Sequence, residues 1–135
     1  IASFYGALQG RGITPALSIP EAPVLRTLNR SALLRIFGNI LSNAIKYSDG
    51  DLAVTMDARG TVVFSNAAAA LSPVQAGRLF DRFYTVETAR DSTGLGLSIA
   101  KLLTERMGGR ISADSVAGRL SVTVQFPDIT GHIVP

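Results

Sequence analysis

Hydrophobic positions along this chain switch between two periods, and the switches mark its elements. Across 29–47, Leu33, Phe37, Ile40, Leu41 and Ala44 recur at the three- and four-residue intervals of one helical face. Asn29 stands before the run as an N-cap, and Ser48, Asp49 and Gly50 stop it, so a helix is predicted there. Residues 51–57 alternate instead, with Leu52, Val54 and Met56 on one side. Ala58, Arg59 and Gly60 then turn the chain into a second alternating run at 61–65, a hairpin. Helical spacing returns at Leu97, Ala100, Leu103 and Met107 and ends at Gly108 and Gly109. Residues 111–115 and 120–126 form a closing hairpin that turns at Ala117 and Gly118. Residues 13–19 also alternate, and Pro15 confines them to a sheet edge.

The segment 67–93 breaks the pattern. It opens with four alanines and holds one short helix signal, a capping Ser72 with Pro73 at the first helical position and a run over 74–80. A connection of that length inside a compact domain reads as a functional lid or a disordered segment. The order β-α-β-β-lid-α-β-β predicts an α+β two-layer sandwich. Its sheet is mixed, mostly antiparallel and of about five strands, with about three helices on one face. The 135 residues suit a single domain spanning 1–135, with a loose tail at 128–135. The opening Ile-Ala-Ser-Phe-Tyr carries neither an initiator Met nor a signal pattern, which reads as a fragment of a larger protein. Forty-seven per cent of residues are hydrophobic, enough for a core, and no run of about 18 apolar residues predicts a membrane span.

Candidate chemistry sits on the polar side of the first long helix. Asn39, Asn43 and Lys46 fall at i, i+4 and i+7, on one stripe opposite the apolar face. Asn is a poorer helix former than the Glu, Lys, Arg or Gln expected of a solvated face. Two asparagines with Lys46 and the neighbouring Tyr47 can hold a metal and a phosphate chain; the alternative is a surface stripe whose asparagines are incidental. The run Ser92-Thr93-Gly94-Leu95-Gly96-Leu97 puts glycines at a helix start, where unpaired amides and the helix dipole favour an anion; simple loop packing is the alternative. The dinucleotide fingerprint and the lysine-bearing phosphate loop are both missing, which disfavours Rossmann and P-loop folds. Asn66, just past a strand, has an amide able to accept from an adenine amino group, or else it starts a turn. Leu79-Phe80-Asp81-Arg82-Phe83-Tyr84 offers aromatics that would anchor the long segment to the core. Arg82 there pairs with Asp81 or Glu87, or reaches a phosphate. The net charge of +3, from 13 basic and 10 acidic residues without a dense basic run, gives nucleic-acid binding little support. With no cysteine and one histidine, His132, there is little from which to build a zinc site.

Taken in order, these elements resemble the ATP-binding catalytic domain of bacterial sensor histidine kinases, of the Bergerat fold shared with gyrase, the Hsp90 chaperone and MutL. The resemblance covers about 12–127. Residues 35–47 resemble the N box, 66–71 the first glycine box, 79–84 the F box and 92–97 the second glycine box. It implies that Asn39, Asn43 and Lys46 face the phosphates of ATP, with Asn43 coordinating Mg²⁺ beside Asn39, and that Tyr47 packs near the adenine. It places Asn66 where the family's adenine-reading Asp stands. Ala68 and Ala70 fall at glycine positions, and Thr93, Gly94, Leu95, Gly96 and Leu97 lie about the phosphates. Ser92 replaces the first glycine of the second box. The implied activity is delivery of the γ-phosphate to a histidine on a separate dimerisation domain of the same protein, from which a response regulator receives it. The implied location is cytoplasmic, with no membrane contact by this part. His132 reads as a bystander in the tail. The hydrolytic relatives carry a glutamate where this chain has Asn39, so negligible ATPase activity is expected. The alanines at 68 and 70 keep open a second reading, a degenerate nucleotide module that serves as a scaffold.

Overall fold

A computed structural model describes residues 5–10, 12–20, 28–81 and 96–127. Five strands form one sheet in the order β1-β2-β3-β5-β4. They are β1 (Pro15–Ser18), β2 (Leu52–Met56), β3 (Thr61–Ala67), β4 (Arg110–Val116) and β5 (Arg119–Gln125). β1 lies parallel to β2 at one edge, and every other pairing is antiparallel. The helices are α1 (Tyr5–Gly10), α2 (Arg30–Tyr47), α3 (Pro73–Gly77) and α4 (Gly96–Arg106). This is the mixed α+β sandwich that the alternation predicted. Among the described residues, no helix is long and apolar enough to cross a membrane.

The period-two strands put one side chain in two onto the helix-covered face. Leu52 and Val54 of β2, Val62 and Phe64 of β3, and Leu120, Val122 and Val124 of β5 are buried there. α2 meets them with Ile36, Ile40, Leu41 and Ala44. The rings of Phe37 and Phe64 lie 5.7 Å apart and tilted, joining helix to sheet. α4 packs on α2 and supplies Leu97, Ala100 and the fully buried Thr104, whose hydroxyl donates to the Ala100 carbonyl at 2.7 Å.

Local chemistry sets the element ends. Asn29 caps α2 as expected, its Oδ1 accepting from the Ala32 amide at 2.9 Å. Ser72 caps α3 in a reciprocal box with Gln75, each side chain taking the other's backbone amide. α4 ends in a Schellman arrangement. Gly108 has φ +79°, and the amides of Gly108 and Gly109 donate to the carbonyls of Glu105 and Thr104. Ala117 and Gly118, both with positive φ, make the tight turn between β4 and β5.

Beside one-residue shifts at the ends of β2, β4 and β5, four features differ from the sequence reading. α1 was not expected; six residues with a glycine at each end of the last five show no period to read. β1 is four residues rather than seven, bounded by Pro15 and followed by Pro20. α3 ends at Gly77 instead of 80. β3 runs two residues past 65, because its pairing with β5 continues to Ala67 opposite Arg119, so Asn66 lies inside a strand. The described part of the segment expected as a lid is docked at its base. The Ala68 amide donates to the Gly118 carbonyl and the Ser115 hydroxyl to the Leu71 carbonyl, each at 2.8 Å.

Gly109 is the tightest point of the fold. A Cβ there would lie 2.7 Å from the Gln125 carbonyl oxygen and 2.8 Å from Phe126 Cδ1. The backbone oxygen belongs to a paired strand and cannot swing away. Gly109→Ala is expected to destabilise the chain by about 1–3 kcal/mol, the usual scale of overpacking, measured by urea unfolding. Gly77→Ala, with nothing within 4 Å of its added methyl, is the control and should change stability far less.

Candidate functional site

The apolar packing of α2 on the sheet sets the rotation of that helix about its axis. Asn39, Ser42, Asn43, Lys46 and Tyr47 then line a cleft together with Leu79, Gly96 and Leu97. The walls are the polar seam of α2, the start of α4 and the residue before the F-box aromatics. Asn39 spans the seam: its Nδ2 donates to the Gly96 carbonyl at 2.9 Å, across 57 residues of sequence. A methyl on Gly96 would touch Asn39 Cβ at 4.0 Å, so glycine is not needed there for space against α2.

Asn43 sits deeper. It is buried, and among the described residues its Oδ1 has no hydrogen-bond partner. A buried acceptor left unpaired costs about 1–3 kcal/mol, and almost every such group in a folded protein is satisfied. The donor set fits a hard cation: an amide oxygen is an acceptable Mg²⁺ ligand, and Mg²⁺ takes few protein ligands because it keeps waters and phosphate oxygens. Lys46 is half-buried, and desolvation holds its ammonium below the usual lysine range. Its Nζ lies 5.6 Å from the Tyr47 ring centroid, and Tyr47 itself packs against the core.

Asn66 and Ala68 lie outside that lining, at the end of β3. Asn66 is one of the most buried side chains, and its Nδ2 donates to the Ala67 carbonyl at 3.1 Å. Ala68 is 3% exposed and packs in the core cluster. The structure therefore gathers Asn39, Asn43, Lys46, Tyr47, Gly96 and Leu97 in one cleft and leaves Asn66 and Ala68, both buried, outside its lining. Thr93, Gly94 and Leu95 lie outside the described residues, as do Ser92, Arg82, Phe83, Tyr84, Glu87 and His132. Phe80 is described; it packs against the core, with Lys101 Nζ 5.9 Å from its ring centroid.

Sequence reasoning missed two acids. Asp51 Oδ1 accepts from the Ala67 amide at 2.6 Å, and Asp51 Oδ2 meets Arg119 Nη2 at 2.9 Å. Asp49 Oδ2 accepts from the Ala69 amide at 2.8 Å. Asp49 reads as a turn residue and Asp51 as the start of the alternating run 51–57; nothing in the sequence says that they grip the alanine run. The Ala67 amide and then the Arg119 guanidinium hold the Asp51 carboxyl below its ordinary range.

Comparison with known proteins gives one consistent result. Residues 28–130 match the family described as "Histidine kinase-, DNA gyrase B-, and HSP90-like ATPase". The chain is 39% identical over 124 residues to the sensor histidine kinase YcbM of Bacillus subtilis (strain 168), a match covering 85% of this chain and 40% of that protein. The chain thus spans well under half the length of that relative. The catalytic domain of the histidine kinase ThkA superposes with a TM-score of 0.80 at 18% identity, covering 93% of this chain and 87% of that one. Full-length ShkA, solved in complex with AMPPNP, superposes with a TM-score of 0.72 at 25% identity, covering 93% of this chain and 28% of that one.

The Asp51 contacts have a pH signature. Its folded pKa lies below the unfolded value, so the stability it contributes is fully present above the unfolded pKa, near 4, and is lost as pH falls through the lower folded value. Asp51→Asn should therefore flatten the acid limb of thermal unfolding measured between about pH 2 and pH 6, with Asp57, whose carboxyl is also held low by backbone amides, supplying part of the slope that remains.

Proposed function

The chain belongs to the family of histidine kinase-, DNA gyrase B- and HSP90-like ATPases, and from that premise we propose that it is the catalytic domain of a two-component sensor kinase, holding Mg-ATP between α2 and the start of α4. The observation that carries the reading is the buried, unpaired Oδ1 of Asn43 in a cleft shared with Asn39, Lys46 and Gly96. Asn43 takes the divalent ion with Asn39 nearby, Lys46 meets the phosphates, Tyr47 packs near the base, and Asn66 reads the adenine. Thr93, Gly94, Leu95, Gly96 and Leu97 complete the phosphate side, and 67–93 is the cover. Mg²⁺ supplies charge neutralisation at the phosphates. The residues of this chain supply position, and phosphoryl transfer asks little else of the nucleotide-holding domain. The AMPPNP complex of ShkA supports a nucleotide in this fold.

The phosphoacceptor is a histidine on a dimerisation domain of the same protein, and a response regulator receives the phosphate afterwards. Both partners lie outside this chain, whose kinase relatives are much longer. The domain works on the cytoplasmic side. A scaffold reading draws on Ala68 and Ala70 at glycine positions. The burial of Ala68 in the core weighs against it, since that methyl packs inward rather than into a nucleotide.

Titration with Mg-ATP by calorimetry tests the site, and no heat at millimolar nucleotide would sink it. Asn43→Ala should weaken ATP binding more with Mg²⁺ than with EDTA; equal losses would remove the metal role. Asn66→Ala should cost about 1–3 kcal/mol of ATP binding, as for a buried polar partner. Labelled ATP added with a helical bundle bearing a phosphoacceptor histidine should label the bundle, while phosphate release by the chain alone stays negligible.

A further inference from the structure

β4 closes one side of the sheet, and its outer edge lacks the devices that usually keep a strand from pairing further. Its register with β5 runs unbroken from Arg110 opposite Gln125 to Val116 opposite Arg119, without a bulge, and it holds no proline or lysine. The two-residue turn at Ala117 and Gly118 makes Val116 and Arg119 a hydrogen-bonded pair, and the pairing alternates from there along the strand. The backbone groups of Arg110, Ser112, Asp114 and Val116 therefore face β5, and those of Ile111, Ala113 and Ser115 face outward. Among the described residues, no backbone group bonds the outward set.

The two halves of that edge differ. Leu71 and α3 lie against its end, where Ser115 is buried and its hydroxyl donates to the Leu71 carbonyl. The first half borders an open groove of about 400 Å³, whose lining includes Lys101 and Glu105 of α4 and Arg110, Ile111 and Ser112 of β4. On the sheet face away from the helices stand Arg110, Ser112 and Asp114, all exposed, opposite the neutral Gln125, Thr123 and Ser121 of β5. Arg110 and Asp114 are about 13 Å apart along the strand, too far to pair with each other. Among the described residues, neither has an ion-pair partner.

A second β4 laid antiparallel on the first is related to it by a two-fold axis. With the axis at Ser112, Arg110 lies opposite Asp114 of the second copy, and Asp114 opposite its Arg110. Moving the axis one residue either way sets both charges opposite neutral residues, and moving it two residues sets like charges opposite each other. The Ser112 register also makes Ile111 and Ala113 of the second copy a hydrogen-bonded pair, and Ala113 and Ile111 of the second copy another. The charged pairs then occupy the sites without backbone bonds, where opposing side chains come closest. Ser112 is small enough for that approach at the axis.

We propose that β4 is a self-pairing edge: two copies of this chain join antiparallel through residues 110–114, centred on Ser112, into one sheet continuous across both. The contact is small beside a standard interface, so its dissociation constant should be on the order of 0.1–1 mM. On the function proposed above, two catalytic domains carried on one kinase dimer would meet at about millimolar effective concentration, where such a contact is populated.

The test is sedimentation equilibrium of the whole chain from about 0.01 to about 2 mM, a range that brackets that constant. The wild type should pass from monomer to dimer. Arg110→Asp and Asp114→Arg should each weaken self-association about tenfold or more, since each turns both opposite-charge pairs into like-charge pairs. Mixed in equal amounts, the two single variants should associate with each other as the wild type does with itself. The double exchange Arg110→Asp/Asp114→Arg should restore self-association. In the wild type, the Ile111 and Ala113 amides should exchange with solvent more slowly as concentration rises. A wild type that stays monomeric at the top of the range overturns the proposal and leaves the edge to an extended segment of another protein. A dimer that neither single exchange weakens, or that the mixture fails to restore, overturns it as well, because another surface then carries the contact.

Discussion

Helix α2 has to satisfy two neighbours at once, and the rest of the molecule follows from how it does so. Ile36, Ile40, Leu41 and Ala44 commit it to the sheet, while Asn39 and Gly96 join it to α4. The magnitudes say which contact leads. Burying one Ile contributes about 1.5–3 kcal/mol, and a single neutral hydrogen bond about 1. Apolar packing therefore sets the rotation of the helix, and the Asn39 bond reports a register already chosen. At 100° per residue, that rotation leaves Asn43 and Lys46 no place but the seam between the helices.

The seam is where the fold departs from its own rules. Elsewhere, buried polar groups find partners: Thr104 bonds Ala100, Ser115 bonds Leu71 and Ser48 closes its turn. Asn43 Oδ1 does not, and Lys46 is desolvated beside it. Sequences that specify one structure tend to break local consistency at sites kept for something else. On the function proposed above, that acceptor and an ammonium stripped of part of its water would both be relieved by the same ligand, a polyphosphate carrying its cation. On that proposal the scaffold offers what phosphoryl transfer asks for, charge and position, and it holds no carboxylate in the Asn39 position that would turn water into a nucleophile.

The alanine run shows how a family feature is rebuilt with other residues. Where the resemblance implies glycines, this chain has Ala68 and Ala70, and the backbone does not need a conformation that only glycine adopts: among the described residues, Ala117 is the one non-glycine with positive φ. The Ala68 methyl joins the core, and the chain on either side is held by two carboxylates and a carbonyl. Removing glycine freedom from the unfolded state and adding hydrogen bonds to the folded one both favour a fixed segment.

Much of this was written in the order of residues. The switch from period 3.6 to period 2, the caps at Asn29 and Ser72 and the glycine stop after α4 are local signals, and local signals suffice for elements because each depends on neighbours within one or two turns. The stripe of Asn39, Asn43 and Lys46 was legible for the same reason, since helical spacing alone puts them on one side. Strand ends were less so: β3 reaches Ala67 only because β5 and Asp51 meet it there, from 52 and 16 residues away in sequence. Which groups face one another across the fold was beyond local reading altogether. The partner of Asn39, the inward methyl of Ala68 and the grip of Asp49 and Asp51 on the alanines all join residues far apart in sequence, and such contacts exist only once packing has brought their backbones together.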